Sequence, residues 1–149
     1  MAPRVRPGLA FWIVCDSGFA VGLVTHRVAR YGDLVWIAEP TFDEEPTVSD
    51  VEKIEKWRWP VFFPLGPALH RKLVTSIGVV PIPEQLKPFP MLRGSRGPGK
   101  WALVKYGADL STSQSFGPTS DPSVPISQVV NDTSLREKIV SGWRPEDRW

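Results

Sequence analysis

Short apolar stretches and turn residues alternate along the whole chain, a pattern typical of many short strands rather than of long helices. Residues 9–16 and 19–30 are rich in strand-forming side chains, and an Asp-Ser-Gly turn lies between them. Residues 34–39 form a further apolar run after a Tyr-Gly-Asp turn. These runs predict antiparallel strands that begin with a β-hairpin, in which Gly22 marks a bulge or a close backbone approach.

Proline divides the middle of the chain into short elements, because it cannot donate a ladder hydrogen bond or continue a helix. Residues 40–46 are expected to form an acidic loop that ends the third strand. Ser49 and Glu52 have the spacing of a capping box and predict a helix from about residue 50 to residue 57. Further short strands are expected at residues 59–64, 73–80 and 100–106.

The composition changes in residues 107–128, where Gly, Ser, Thr, Pro and Asp predominate. This composition predicts a long surface arm rather than a second core. Ser134 and Glu137 again have capping-box spacing and predict a short helix. We therefore expect a single β-rich core domain over residues 1–106, followed by a surface arm over residues 107–149 whose helix packs on the core or on a partner.

Together these elements predict an α+β fold with mainly antiparallel strands. We expect a strongly curled sheet of five or six strands, or a partly open barrel, with one or two short helices. The chain has 149 residues and a mass of 16.7 kDa, the size of one ordinary domain. Its 16 prolines are spread along the chain and argue against a helical bundle.

Neither a membrane span nor a disulfide framework is expected. The longest apolar run, residues 9–15, is far shorter than the roughly 18 residues that a membrane span needs. The single cysteine, Cys15, cannot form an internal disulfide, which is typical of proteins outside oxidising compartments. The sequence thus predicts a cytoplasmic location.

Charges are separated along the chain, although the formal net charge is only +2. Residues 39–55 contain seven acidic residues and one lysine, whereas residues 56–106 contain nine basic residues and one glutamate. Such separation reflects either solvated faces that neutralise one another or a bipolar surface that steers a charged partner.

The acidic segment is the first candidate for a partner-binding surface. Carboxylates on one surface can occupy the basic cleft of a protein that acts on nucleic acid, because they imitate phosphate charges. The alternative for the same residues is an ordinary solvated loop and helix. The candidate residues are Asp43, Glu44, Glu45, Asp50, Glu52 and Glu55.

A glycine-rich basic segment is the second candidate, for an anion. We expect a flexible loop over residues 93–99, in which glycine lets backbone amides approach a phosphate. Arginine beside an aromatic side chain is a combination that holds single-stranded nucleic acid. A loop with solubilising charges and a loop that contacts a protein are the alternatives. The candidate anion-binding residues are Arg93, Arg96, Lys100 and Trp101.

Residues with the chemistry of catalysis or metal binding are few. A nucleophile with a base would need Cys15 and either His26 or His70. In the predicted hairpin, Cys15 and His26 are roughly 20 Å apart, and a cysteine flanked by apolar residues is typically buried. The chain also lacks Cys-x-x-Cys, His-x-x-x-His and phosphate-loop motifs. No catalytic residue, metal or cofactor is therefore expected.

Turn and core residues over most of the chain also fall in a recognisable order. The amino-terminal ones are Gly8, Phe11, Ile13, Asp16, Gly18, Phe19, Gly22 and Val24. The later ones are Pro60, Val61, Phe62, Ile77, Gly78, Pro81, Pro83, Leu86 and Pro90. With them, residues 8–106 resemble the immunity protein 26 family, small bacterial proteins assigned to polymorphic toxin and immunity systems.

This resemblance implies a protein that binds and neutralises a partner protein without catalysis. We therefore expect a non-enzymatic immunity protein whose partner is a cognate protein toxin. The alternative from another class is a small β-barrel nucleic-acid-binding protein that uses the segment from Arg93 to Trp101. An enzyme of unknown chemistry is the third and weakest hypothesis.

Overall fold

Eight strands, three α-helices and two 3₁₀ turns occur in residues 4–28, 32–106 and 113–147, which this computed structural model describes. The strands are β1 (Leu9–Cys15), β2 (Gly18–Val28), β3 (Gly32–Phe42), β4 (Trp57–Phe63), β5 (Thr75–Val79), β6 (Leu92–Gly97), β7 (Lys100–Tyr106) and β8 (Ser113–Thr119). The helices are α1 (Val48–Glu52), α2 (Leu65–His70) and α3 (Asp132–Val140), and the 3₁₀ turns are Glu84–Leu86 and Pro145–Asp147. The predicted α+β class with mainly antiparallel strands is confirmed.

The strands form two antiparallel sheets rather than one. Five strands pair in the order β4-β3-β2-β1-β5, and three pair in the order β6-β7-β8. Among the described strands both orders are linear, with β4 and β5 at the edges of the larger sheet. The strongly curled sheet or partly open barrel that we expected is not confirmed.

The predicted amino-terminal hairpin is confirmed, and Gly22 lies at its closest approach. Phe11 of β1 pairs with Gly22 of β2. A Cβ atom at position 22 would lie 2.3 Å from Cζ of the Phe11 ring, so that glycine is needed for the ring to lie over the neighbouring strand. The pairing of β2 with β3 shifts its register beside this residue.

Both faces of the five-stranded sheet are buried. On one face, Phe11 and Trp59 belong to the same cluster as Leu135 and Ile139 of α3. Because neighbouring strand residues point to opposite faces, Ala10 belongs to a second cluster on the other face. The other buried members of that cluster are Val21, Leu23, Ala38, Val51, Ile54, Val80 and Leu86. The sheet is thus covered by α3 on one side and by α1 and the Glu84–Leu86 turn on the other.

The acidic loop begins later than the sequence predicts. β3 continues through Pro40 to Phe42, and Phe42 pairs with Phe19 of β2. The register of this pairing shifts between Ala20 and Gly22. Pro40 lies in the irregular stretch opposite that shift, where a residue without an N–H is tolerated.

Two helices begin earlier than the sequence predicts. Thr47 rather than Ser49 caps α1 and forms a capping box with Asp50. Asn131 caps α3, and Ser134, which was expected to be the cap, occupies the N3 position instead. Thr and Asn are also good N-caps, so spacing alone could not distinguish between neighbouring candidates. α1 is also shorter than predicted, since the chain leaves it to enter β4.

Two segments that were expected to lack strands contain them. Residues 93–97, part of the expected flexible loop, belong to β6, and residues 113–119 of the expected surface arm form β8. Gly97 and Gly99 have φ angles of 130° and 69°, so these glycines form the tight turn between β6 and β7. α3 packs on the core, which is one of the two placements that the sequence left open.

Candidate partner-binding surface

The acidic segment forms a single excursion between two paired strands. β3 and β4 are antiparallel neighbours, and residues 43–56, here called the acidic excursion, lead from one to the other. Within it, Val51 and Ile54 are only 2% and 8% exposed and pack on the sheet. Gly78 of β5 leaves room for Val48, because a Cβ atom there would lie 2.8 Å from Cγ2 of Val48. The apolar side of the excursion is thus fixed to the sheet.

All six predicted acidic residues lie on the acidic excursion. Asp50 is half-buried, and its carboxylate accepts hydrogen bonds from the Thr47 amide at 2.8 Å and the Thr47 hydroxyl at 3.0 Å. These hydrogen bonds hold the pKa of the Asp50 carboxyl below its usual range. The exposed members are Asp43, Glu44, Glu45, Glu52 and Glu55. The excursion thus presents one capping carboxylate and several solvent-facing ones.

An open groove of about 470 Å³, here called the Phe42 groove, lies beside these carboxylates. Its apolar wall is formed by Pro40, Phe42 and Ile54. The carboxylates that line it belong to Glu39, Asp50 and Glu55. Sequence reasoning missed this groove. Its one signal was Phe42, a large apolar residue directly before three acidic residues.

A second groove of about 510 Å³, here called the Trp57 groove, adjoins the first. Its lining includes Trp36, Trp57 and Arg144. The residues that line both grooves are Glu39, Glu55 and Lys56. Because they share three lining residues, the two grooves adjoin each other on the surface, and together they are here called the depression.

Glu39 lies where the two grooves meet. Its backbone carbonyl accepts hydrogen bonds from Arg58 Nη2 at 3.1 Å and Nε at 3.3 Å. The carboxylate makes only longer contacts, 3.9 Å to Arg58 Nε and 4.0 Å to Arg144 Nη2. Its side chain is 45% exposed, and weak surface ion pairs of this kind contribute little. The backbone of Glu39 is therefore held while its carboxylate remains accessible.

The basic candidates are divided between the interior and the surface. Arg93 is 0% exposed, and its guanidinium donates to the carbonyls of Val124 at 2.9 Å, Pro122 at 3.5 Å and Pro145. The same guanidinium lies 4.1 Å from the ring centroid of Trp101, which is 8% exposed. Both side chains are therefore held in internal packing.

The other two basic candidates remain on the surface. Arg96 and Lys100 are exposed and line a groove of about 490 Å³ with Gly99 and Pro118. These two cations thus lie together on the surface, apart from Arg93, whose guanidinium donates hydrogen bonds to buried backbone carbonyls.

The candidate nucleophile and bases occupy different settings. Cys15 is buried, which raises the pKa of its thiol, and the thiol points to the carbonyl of Ile13 at 3.9 Å. His26 hydrogen-bonds through Nε2 to the Lys87 carbonyl at 2.9 Å and through Nδ1 to the Thr25 hydroxyl at 3.0 Å. His70 is exposed at the end of α2. The side chains of Cys15 and His26 therefore contact different partners.

The described part of the chain contains neither a metal-binding cluster nor a membrane-spanning helix. No group of three or more His, Cys, Asp or Glu side chains that could hold a metal ion occurs in residues 4–28, 32–106 and 113–147. Within those same ranges, the helices are all too short or too polar to cross a bilayer.

Comparisons with known proteins give no match. No family model, no curated protein and no solved structure matches this chain.

Proposed function

We propose that this protein is a non-enzymatic bacterial immunity protein that binds and neutralises a cognate protein toxin. The observation that supports it best is the acidic excursion, where exposed carboxylates are presented together on a segment that packs against the sheet. Val51 and Ile54 anchor that segment to the sheet. The order of turn and core residues over residues 8–106, which resembles the immunity protein 26 family, indicates the class of partner.

Electrostatics favours a basic partner for this surface. Residues 39–55 contain seven acidic residues and one lysine, and exposed carboxylates attract cations over about a Debye length, ~8–10 Å at physiological salt. A toxin that acts on nucleic acid presents a basic cleft to its substrate, and carboxylates in that cleft imitate phosphates. Such complementarity raises the association rate and disfavours acidic competitors.

Nucleic-acid binding is the second candidate, and one observation favours it. Arg96 and Lys100 are exposed and line the same groove beside a glycine-rich turn. Backbone amides and cations of this kind suit a phosphate. Against it, Arg93 is fully buried, and Trp101 lines the same groove but is only 8% exposed, so that it offers a base little stacking surface.

Charge reversal on the acidic excursion tests the first proposal. Asp43, Glu44 and Glu45 are exposed, so their joint substitution by lysine should preserve the fold. The purified variant is titrated against the product of a neighbouring toxin gene at two salt concentrations. We expect slower association and a weaker dependence of the rate on salt, because the attraction between the proteins is removed.

The matched control changes the opposite charge. Arg96→Ser with Lys100→Ser removes two exposed cations and should leave toxin binding unchanged. Both variants are also titrated against single-stranded nucleic acid. If the native protein binds nucleic acid tightly, and the serine variant reduces the salt slope by about 0.7 to 0.9 per lost phosphate contact, the second candidate replaces the first.

A further inference from the structure

The Phe42 groove has the shape and chemistry to take an apolar side chain from a partner. Its wall combines the ring of Phe42, the pyrrolidine of Pro40 and the side chain of Ile54. Phe42 is half-buried and Pro40 is exposed, so that part of this apolar surface faces solvent. The volume of about 470 Å³ is within the range of roughly 300–1,000 Å³ that is usual for ligand sites.

The charged residues that line the same groove favour one sign of charge on the occupant. Glu39, Asp50 and Glu55 place carboxylates around the apolar wall, and Asp43–Glu45 follow Phe42 directly in the chain. Lys53 and Lys56 also line the groove, and Arg144 lines the Trp57 groove, so that basic residues offset part of this charge. Residues 39–56 nevertheless contain seven acidic residues against two lysines, so that the segment as a whole is negatively charged. A cationic occupant is therefore favoured over an anionic one.

The presence of two adjoining grooves indicates an extended occupant. Both the Phe42 groove and the Trp57 groove are lined by Glu39, Glu55 and Lys56. Both are open to solvent, and a small-molecule site would instead enclose its ligand and converge polar groups on it. A peptide segment fits an open depression better, because successive side chains can occupy adjoining parts of it.

We propose that this depression binds an extended basic segment of a partner protein, with one apolar side chain inserted between Phe42, Pro40 and Ile54. Lysine or arginine side chains on either side of that anchor face the carboxylates of Glu39, Asp50 and Glu55. The inference rests on the proposed function for its partner and adds the recognition chemistry. A side chain that is buried in a pocket near the centre of an interface typically contributes much of the binding free energy.

Short synthetic peptides test this proposal on the full-length protein. The first probe has one leucine between two pairs of lysines, the second has glycine in place of leucine, and the third has glutamate in place of every lysine. Binding is followed by amide chemical shifts of the ¹⁵N-labelled protein and by calorimetric titration. The leucine probe should shift the amides of Phe42, Asp50 and Ile54. The glycine probe should bind at least about tenfold more weakly, and the glutamate probe should not bind.

Single charge changes on the protein sharpen the test. Glu55→Gln should weaken binding of the leucine probe by up to about fivefold, and Lys53→Gln should strengthen it by a similar factor. Glu137→Gln is the matched control, since Glu137 is exposed and lines a different groove with Val14 and Val140. It should leave the affinity unchanged.

The outcomes separate this inference from the proposed function. Equal binding of the leucine and glycine probes, or shifts located away from the Phe42 groove, would overturn the apolar anchor. If no probe binds but the lysine variant at positions 43–45 loses toxin binding, the groove is wrong and the immunity function stands. If the leucine probe binds as expected and no toxin binds, the groove proposal stands and the immunity function is wrong.

Discussion

The acidic excursion and the basic β6–β7 hairpin are two charged segments that differ in how far their predicted site residues are exposed to solvent. Five of the six predicted acidic residues remain exposed, because the excursion packs on the sheet through apolar residues such as Val51 and Ile54. In the hairpin, Arg93 is fully buried under residues 122–127 and Trp101 packs against its guanidinium. A charged residue in a sequence therefore indicates a surface only when nothing distant covers the strand that carries it.

Backbone hydrogen bonds hold the segment that covers Arg93. The Arg93 amide donates to the Pro125 carbonyl at 2.8 Å, and the Ser127 amide donates to the Arg93 carbonyl at 2.9 Å. These bonds add residues 125–127 to the outer edge of β6 and enclose the guanidinium. Its acceptors come from three separate residues, so that the side chain joins β6 to the last part of the described chain.

The largest expected effect concerns this buried arginine. Arg93→Met keeps the apolar stem but leaves the carbonyls of Val124 and Pro145 without their charged donor, which should lower the free energy of unfolding by about 3 kcal/mol. Arg96→Met is the matched change on the same hairpin and should alter it by less than about 0.5 kcal/mol. Urea unfolding of both variants measures the difference. Equal changes in the free energy of unfolding would show that the two arginines contribute equally, which would contradict the structural role given to Arg93.

Much of the local structure could be predicted from the sequence, since local patterns determine it. The β1–β2 hairpin follows from two apolar runs around a turn, and β7 follows from the alternation in residues 100–106. A short strand was predicted at residues 59–64, and most of these residues lie in β4, an edge of the larger sheet. In each case the deciding contacts are made by neighbours in the chain or across one turn.

The burial of Arg93 could not be predicted, because its partners are remote. Its acceptors lie 29, 31 and 52 positions away in the chain, in segments without a clear periodic pattern. The Phe42 groove was missed for a similar reason, since it needs the pairing of β3 and β4 to bring Phe42 and Ile54 together. Residues 1–3, 29–31, 107–112 and 148–149, which include parts of the predicted surface arm, lie outside the described residues.

A smaller effect is expected at the cap of α1, where the acidic excursion is held. Thr47→Ala removes the hydroxyl that accepts from the Asp50 amide at 3.3 Å, and loss of an N-cap typically costs about 1 kcal/mol. Hydrogen exchange should show faster opening of the Val51 and Glu52 amides, while the β6–β7 hairpin is unchanged. Thr133→Ala, an exposed threonine within α3 that does not cap it, is the control. Equal protection in both variants would mean that the cap does not hold the excursion.

The smallest expected effect is a difference in pH dependence between the two regions. Burial lowers the pKa of His26, whose ring joins β2 to the carbonyl of Lys87 shortly before β6. The unfolded chain then binds more protons than the folded one near pH 6.5, so that stability declines as pH falls through about 6.5 toward the folded pKa. Substitution of His26 by glutamine should remove this decline.

The pKa of the Asp50 carboxyl is lowered by hydrogen bonds from Thr47, so that its contribution to stability is complete above about pH 4 and is lost only as pH falls through the folded value. Two separate windows should therefore appear when amide exchange is followed from neutral to acid pH. Contacts of His26 and Lys87 weaken first, and the first turn of α1 opens later, at more acid pH. If both regions instead open together at one pH, the acidic excursion unfolds in one cooperative unit with the segment that precedes the basic hairpin.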